Sequence, residues 1–517
     1  MSPKAEYRGE VRKCRKHVLP LHPSNTRVIG VSVAAAVGGF LFGFDSSVVN
    51  GAVDSIQQTF GLGDLFKGFA VAIALLGCVV GAWFAGRLAD IWGRKRVMVL
   101  GAVMFAASAV GTAYTQTVWD LLIWRVIGGL GIGIASVIAP AYIAEIAPAR
   151  YRGALASMQQ LAITLGIFAA LLSDKLFQQA APGGEPMNTL WWGLEAWRWM
   201  FLVGVVPAVV YGVLALLIPE SPRYLVGHNR DKEAARILEE VTGEEHPLAR
   251  VKEIKLTVKR ESSAKLSDLR GPSFGLHPLV WVGIWLAIFQ QFVGINAIFY
   301  YSTSLWTSVG FSTDSAFTTS VITSAINVVM TFVAILFVDR IGRRVLLLWG
   351  SVGMFIGLVM ACVAFTQSHY KETGSVGDTQ CTPGNTNSDC LTLNGHWGVV
   401  ALIGANLFVI AFAATWGPVM WVMLSEMFPN SIRGVALGVC TAFNWLANFT
   451  ISMLFPEASA SLGLGWVYGF FAFCGAASFF FVKAKVRETK GLELEDMDAV
   501  AAEDLSRFEA TRRAKSS

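Results

Sequence analysis

Charge is what this chain has least of. Only 15% of its 517 residues are Asp, Glu, Lys or Arg, against roughly a quarter in an average soluble domain. With 54% of its residues hydrophobic, a soluble protein of this length could not hide its apolar surface in one core. Its seven cysteines show no metal-type spacing, and Cys78, Cys362, Cys440 and Cys474 sit in apolar runs as small hydrophobes. No nucleotide loop, metal cluster or catalytic triad is found, so the chain is expected to be no enzyme, with neither cofactor nor metal. Residues 1–27 lack the apolar core and small-residue cleavage site of a signal peptide. They carry Arg8, Arg12, Lys13, Arg15, Lys16 and Arg27 instead, and read as a basic cytoplasmic tail.

What is present comes in long apolar runs, such as 68–85 and 400–424. Runs of about 18 or more such residues read as membrane-spanning helices, because only a helix satisfies its own backbone in hydrocarbon. Hydropathy marks twelve spans: 28–48, 67–89, 97–115, 119–144, 154–174, 198–219, 278–302, 316–338, 345–366, 397–424, 434–455 and 465–483. Basic residues gather after every even-numbered span up to the tenth, at Arg94-Lys95-Arg96, Arg150 and Arg152, Arg223 to Arg270, Arg340 to Arg344, and Arg433. The opposite loops hold little beyond Lys175 and Lys371. The positive-inside rule then places both termini in the cytoplasm of a multi-pass protein of the cell (plasma or inner) membrane. The long loop 366–397 falls outside, where its Cys381 and Cys390 are expected to form a disulfide. Trp191, Trp192 and Trp197 read as interfacial anchors.

The two groups of six spans echo each other. Arg87-Leu88-Ala89-Asp90 with Gly93-Arg94 follows the second span, and Asp339-Arg340-Ile341-Gly342-Arg343 the eighth. Glu145 with Arg152-Gly153 follows the fourth, and Glu426 with Arg433-Gly434 the tenth. Pro219-Glu220-Ser221-Pro222-Arg223 ends the sixth, and Arg487-Glu488-Thr489-Lys490-Gly491 the twelfth. The divisions expected are a tail 1–27, a six-helix half 28–220, a cytoplasmic helical linker 221–277, a second half 278–483 and a tail 484–517. Parallel repeats of this kind mark transporters whose substrate sits at the interface of the halves.

Several segments resemble the sugar porter branch of the major facilitator superfamily. They are Gly39-Phe40-Leu41-Phe42-Gly43-Phe44-Asp45, Arg87 to Arg96, Arg125-Val126-Ile127-Gly128-Gly129, Pro219 to Arg223, Gln290-Gln291-Phe292-Val293-Gly294-Ile295-Asn296 and Trp416-Gly417-Pro418-Val419-Met420-Trp421. The resemblance covers about residues 28 to 495. It implies an all-α membrane protein of twelve transmembrane helices in two six-helix halves, with short cytoplasmic helices. One departure is Arg487, where the family writes proline before Glu-Thr-Lys-Gly.

A hexose offers hydroxyls that donate and accept, which amide side chains match without adding charge, while its C–H faces pack on indole. The substrate-binding candidates are Gln160, Gln290, Gln291, Asn296, Trp421, Asn444 and Asn327. For single amides such as Asn327 or Asn448, hydrogen bonding between helices is the plainer reading. At about 100° per residue, a straight helix would point Gln290 and Asn296 about 120° apart, so a bend is expected near Gly294. Tyr300 and Tyr301 are expected at an outer gate.

Asp45, inside the first span, is a functional candidate by its position alone, with Arg125 as its partner. Beside Arg125 the carboxylate stays ionised; parted from it in a dry interior, it takes a proton. The resemblance implies that an aspartate here marks proton-linked members, and that some of these carry an acidic residue where this chain has Gly204. A cytoplasmic charge network is expected from Asp90, Arg94, Glu145, Arg152, Glu220 and Arg223 in the first half and Asp339, Arg343, Glu426, Arg433 and Glu488 in the second. As exposed pairs these would contribute about 0–1 kcal/mol each.

The function expected is secondary active import of a monosaccharide, glucose first, by proton symport through alternating access. The partners expected are the sugar, protons and the bilayer, with no nucleic acid and a single chain as the working unit. The alternatives are a passive uniporter with Asp45 structural, and a non-transporting sugar sensor, against which the short tail argues.

Overall fold

The computed structural model describes residues 23–146, 152–244, 246–261, 269, 271, 275–370, 374–376, 379–381, 391–393, 396–428 and 432–490. The Cys381–Cys390 pairing, the side chains of Arg152 and Asp339, and most of both tails lie outside the described residues.

Twelve segments among the described residues are long and apolar enough to cross a membrane. The first half holds α1 (Pro23–Phe60), α2 (Asp64–Trp92), α3 (Arg94–Ala113), α4 (Val118–Ile146) and α5 (Arg152–Ala180), with the sixth span shared by α6 (Ala196–Leu202) and α7 (Val205–Leu217). Three short helices follow: α8 (Pro222–Gly227), α9 (Asp231–Ile237) and α10 (Pro247–Glu261). The seventh span is α11 (Pro278–Phe292) with α12 (Ile295–Ser308), the eighth α13 (Thr313–Ile341) and the ninth α14 (Arg343–Thr366). The tenth is α15 (His396–Ala414) with α16 (Trp416–Met427), the eleventh α17 (Arg433–Leu462) and the twelfth α18 (Leu464–Lys485). In the loop before α15, two antiparallel ladders form, β1 (Ser368–Tyr370) on β4 (Leu391–Leu393) and β2 (Gly374–Val376) on β3 (Thr379–Cys381).

Two of the broken spans have local causes. Gly294 adopts φ +85°, the left-handed region open to glycine, and ends α11 where the amide spacing called for a bend. An ideal Cβ there would lie 2.4 Å from the Phe471 ring, so position 294 has no room for a side chain either. In the tenth span the break falls at Thr415, four residues before Val419 and three before Pro418. Proline's ring conflicts with the carbonyl four residues back, which here is Ala414, the last residue of α15.

Two helices outrun their apolar stretch. The first span was expected to end at 48, yet α1 continues to Phe60; the fifth was expected to end at 174, yet α5 continues to Ala180. Hydropathy counts Asp54, Asp174 and Lys175 against membrane residence. In the fold Asp54 pairs with Lys67 and Asp314 with Lys175, and Lys67, Asp174 and Lys175 are buried. Trp191 and Trp192 are exposed, as anchors should be, whereas Trp197 is fully buried beneath the Arg198 guanidinium, because α6 turns it inward.

Helices α1 and α5 pack backbone to backbone. An ideal Cβ on Gly43 would sit 1.9 Å from the Ile163 carbonyl oxygen, and one on Gly166 would sit 2.2 Å from that of Phe40. Small residues permit such approach between membrane helices.

Candidate functional site

The break at Gly294 brings the amides of the seventh span to one place. Asn296 donates from Nδ2 to Gln291 Oε1 at 2.6 Å. Gln291 Nε2 donates to Asn444 Oδ1 on α17 at 3.2 Å, and Asn444 Nδ2 donates to Gln290 Oε1 at 2.8 Å and to the Ala287 carbonyl at 3.0 Å. Gln290 Nε2 donates to the carbonyls of Trp416 and Gly417, in the first turn of α16, at 3.2 and 3.3 Å. Four predicted amides therefore form one connected cluster. Trp421 and Gln160 are half-buried, and Asn327 is buried on α13. Trp416 faces away: its indole N–H donates to the Leu347 carbonyl and Ser351 Oγ on α14, at 3.0 and 3.1 Å.

The second site is buried deeper in the first half. Arg125 Nη1 donates to Asp45 Oδ1 at 2.9 Å, both side chains being nearly inaccessible. The guanidinium also lies 5.7 Å from the Phe201 ring centroid, while its Nε has no hydrogen-bond partner. Beside the pair is a cavity of about 10 Å³, room for about one water, lined by Asp45, Ser46, Cys78, Arg125 and also Tyr300 of α12. Tyr300 accepts from Asn448 Nδ2 at 3.3 Å. It thus joins the ion pair of one half to the polar residues of the other. Tyr301 does not share this position: its hydroxyl donates to the Ser452 carbonyl at 2.7 Å and its ring stacks on Phe455, all within the second half.

At the α2–α3 end the repeat is reproduced atom for atom. Arg94 holds Glu145 through Nε and Nη2 at 3.1 and 2.9 Å, and Arg343 holds Glu426 through the same atoms at 3.0 and 2.8 Å. The backbone N–H of Arg94 donates to Glu220 and that of Arg343 to Glu488, both at 2.9 Å. Ser221 donates to Glu145, and Thr489 to Glu426. Asp90 pairs with Arg94 at 3.1 Å, and Arg433 donates to the Phe428 carbonyl at 2.9 Å. Arg223 follows Ser221 at the start of α8, where its backbone N–H is capped by the serine hydroxyl. Asp90 is exposed, as expected, but the Arg94–Glu145 pair is not the weak exposed contact expected. Arg94 and Glu145 are each only 11% accessible and meet through two bonds, a geometry of far greater strength than a surface pair.

At the opposite, α1–α2 end, the halves are joined by residues that the sequence reading passed over. Asn50 of α1 donates to Ser302 Oγ at 2.7 Å and accepts from the Thr303 N–H and Oγ1 at 3.0 and 2.8 Å. Lys67 and Ser304 share Asp54 at 2.7 and 2.9 Å. Lys175 of α5 pairs with Asp314 of α13. An ideal Cβ on Gly68 would lie 2.0 Å from the Met453 carbonyl oxygen. The only signal was polar residues at the tips of apolar runs, in positions that also suit ordinary loops.

A duplicated bundle of twelve spans, its halves joined at one end, with a polar amide cluster inside the second half and a buried ion pair inside the first, is a carrier of the major facilitator fold. The chain belongs to the sugar (and other) transporter family, whose model matches residues 31–501. It is 48% identical to the glucose transport protein of Synechocystis sp. over 470 residues, 91% of this chain and 97% of that one. It is 35% identical to the arabinose-proton symporter of Bacillus subtilis over 472 residues, 91% of this chain and 94% of that one. Among solved structures it is similar to the xylose transporter XylE from Escherichia coli in a partially occluded inward-open conformation. That likeness has a TM-score of 0.75 and 31% identity, covering 90% of this chain and all of that one.

Proposed function

We propose that this chain imports a monosaccharide, glucose first, together with a proton, across a cell membrane by alternating access. The observation that carries the reading is the second-half cluster Gln290, Gln291, Asn296 and Asn444, together with a cavity where Asp45 and Arg125 of the first half meet Tyr300 of the second. The likeness to a glucose transport protein and an arabinose-proton symporter supports it. The basic loops assign the α2–α3 end and both termini to the cytoplasm, so the joined α1–α2 end faces outward.

Sugar hydroxyls replace bonds that the amides otherwise make to one another, while Trp421 packs on a C–H face. Gln160 and Asn327 approach from the fifth and eighth spans. Asp45 accepts a proton from the outer solution and lets go of Arg125, and its ionic bond re-forms when the proton leaves inward. Tyr300 lies on the cavity and on the amide side at once, so proton and sugar occupancy act on the same helix. The paired networks of Arg94 and Arg343 brace each half as it rocks, and α8 to α10 tie the halves together.

Uptake of labelled glucose by vesicles carrying the full chain tests this. Faster entry and accumulation under an inward pH gradient are expected, with unlabelled sugars competing in order of fit. Entry indifferent to the gradient would reduce the chain to a uniporter, and no entry of any sugar in a hexose and pentose panel would overturn the reading.

A further inference from the structure

The bundle contains a second buried carboxyl that the scheme above does not use. Asp174 of α5 is fully inaccessible. Its Oδ2 accepts from the backbone N–H of Gly51 on α1 at 3.2 Å, and its Oδ1 has no hydrogen-bond partner. Gly51 is needed for this contact, since an ideal Cβ would lie 2.8 Å from the carboxyl.

The described charged groups on the helices packed against α5, on the side of Asp174, are committed elsewhere. On α1, Asp45 is held by Arg125 and Asp54 by Lys67 and Ser304. On α13, Asp314 is held by Lys175. On α6, Arg198 is held by Glu195 and the carbonyls of Ala113 and Thr115. On α4, Asp120 accepts from the exposed backbone of Gln116, and Arg125 faces Asp45. Lys175, the next residue of α5 itself, is turned to Asp314 and Gln178. Among the described residues an ionised Asp174 would have no counter-ion and an unmet oxygen, which a protein interior tolerates poorly.

The position gives this a consequence. Gly51 directly follows Asn50, and Asp174 directly precedes Lys175. Both neighbours cross to the second half, through Ser302, Thr303 and Asp314. Parting of these crossings would be the event that lets water reach the carboxyl.

We propose that Asp174 is a proton-binding site of the outer seam. Its carboxylate takes one proton from the outer solution as the seam closes and returns it to the same solution as the seam opens. No proton crosses the membrane by this route, so Asp174 governs the rate of closure without entering the proton-to-sugar ratio. The inference rests on the transport reading for its orientation.

The test is equilibrium exchange of labelled D-glucose in proteoliposomes of the full chain, with interior pH held and exterior pH stepped upward. Wild-type exchange falls as the exterior becomes alkaline. Asp174→Asn, neutral at every pH, falls by up to tenfold less per pH unit across the range where the carboxyl titrates, with the proton-to-sugar ratio of the wild type. Superimposable profiles, or a changed ratio, would overturn the assignment; absence of exchange by the wild type would instead overturn the transport reading. A second measurement needs no change at 174. Spin labels at Gln58→Cys and Ser315→Cys, both exposed and on opposite halves, with other reactive cysteines replaced and Asp45→Asn in place, should separate as pH rises. A distance that ignores pH would equally refute it.

Discussion

Removing the Asn50 side chain should tip the carrier toward its outward-open form. Asn50→Ala deletes three side-chain hydrogen bonds across the seam at the α1–α2 end, outward-facing in the proposed orientation: one donated to Ser302 and two accepted from Thr303. A net contribution of about 1 kcal/mol each gives about 3 kcal/mol in favour of the closed end, or roughly a hundredfold in population. The Thr303 hydroxyl keeps its bond to the Asn50 backbone carbonyl at 2.6 Å, which trims the figure. In the open form water covers the orphaned groups, so the loss falls on one state alone. Double electron–electron resonance between labels at Gln58→Cys and Ser315→Cys reads the outcome. The long-distance population should grow severalfold or more over the parent, without loss of folded protein. An unchanged distribution would mean that these bonds persist in both forms, or that this is not the surface that opens, and the reasoning would fail.

Three further outcomes are expected. Asp45→Asn should abolish accumulation of glucose against a gradient while labelled exchange persists; unchanged accumulation would remove Asp45 from the proton path. Gly294→Ala asks an L-residue to hold φ +85°, at about 1–2 kcal/mol, and drives a methyl into Phe471. It should lower both thermal stability and uptake, and smaller losses should follow when Phe471→Leu is added. Arg343→Gln leaves Glu426 without its bidentate partner, for roughly 3–5 kcal/mol where a sheltered pair loses one member, whereas exposed Arg96→Gln should change stability by about 0.5 kcal/mol or less. Thermal unfolding in detergent compares the two.

Legibility followed chemistry. Apolar runs marked the spans because hydrocarbon permits little else, and the recurrence of Asp, Glu and Arg at span ends marked the duplication that Arg94 and Arg343 then reproduce in detail. The seventh-span amides were legible because neutral polar groups in a membrane interior need a reason, and Gly294 because three amides could not otherwise converge. The seam at the α1–α2 end was not legible. Asn50, Asp54, Lys67 and Lys175 lower hydropathy as loop residues do, and only the pairing of helices distant in the chain distinguishes a seam from a loop. The same averaging shortened α1 and α5 and placed Asp174 at a boundary.

The amide cluster also bears on how an unloaded carrier completes its return. Each amide already holds a neighbour's oxygen or N–H, so the protein carries an internal stand-in for its cargo. An empty cavity therefore leaves few dangling dipoles to recruit a column of water through the bundle. Under the proposed function cargo has to compete with this stand-in, which would hold its grip to a moderate strength and let it depart quickly. A site left hungry when vacant would seize sugar firmly and release it late.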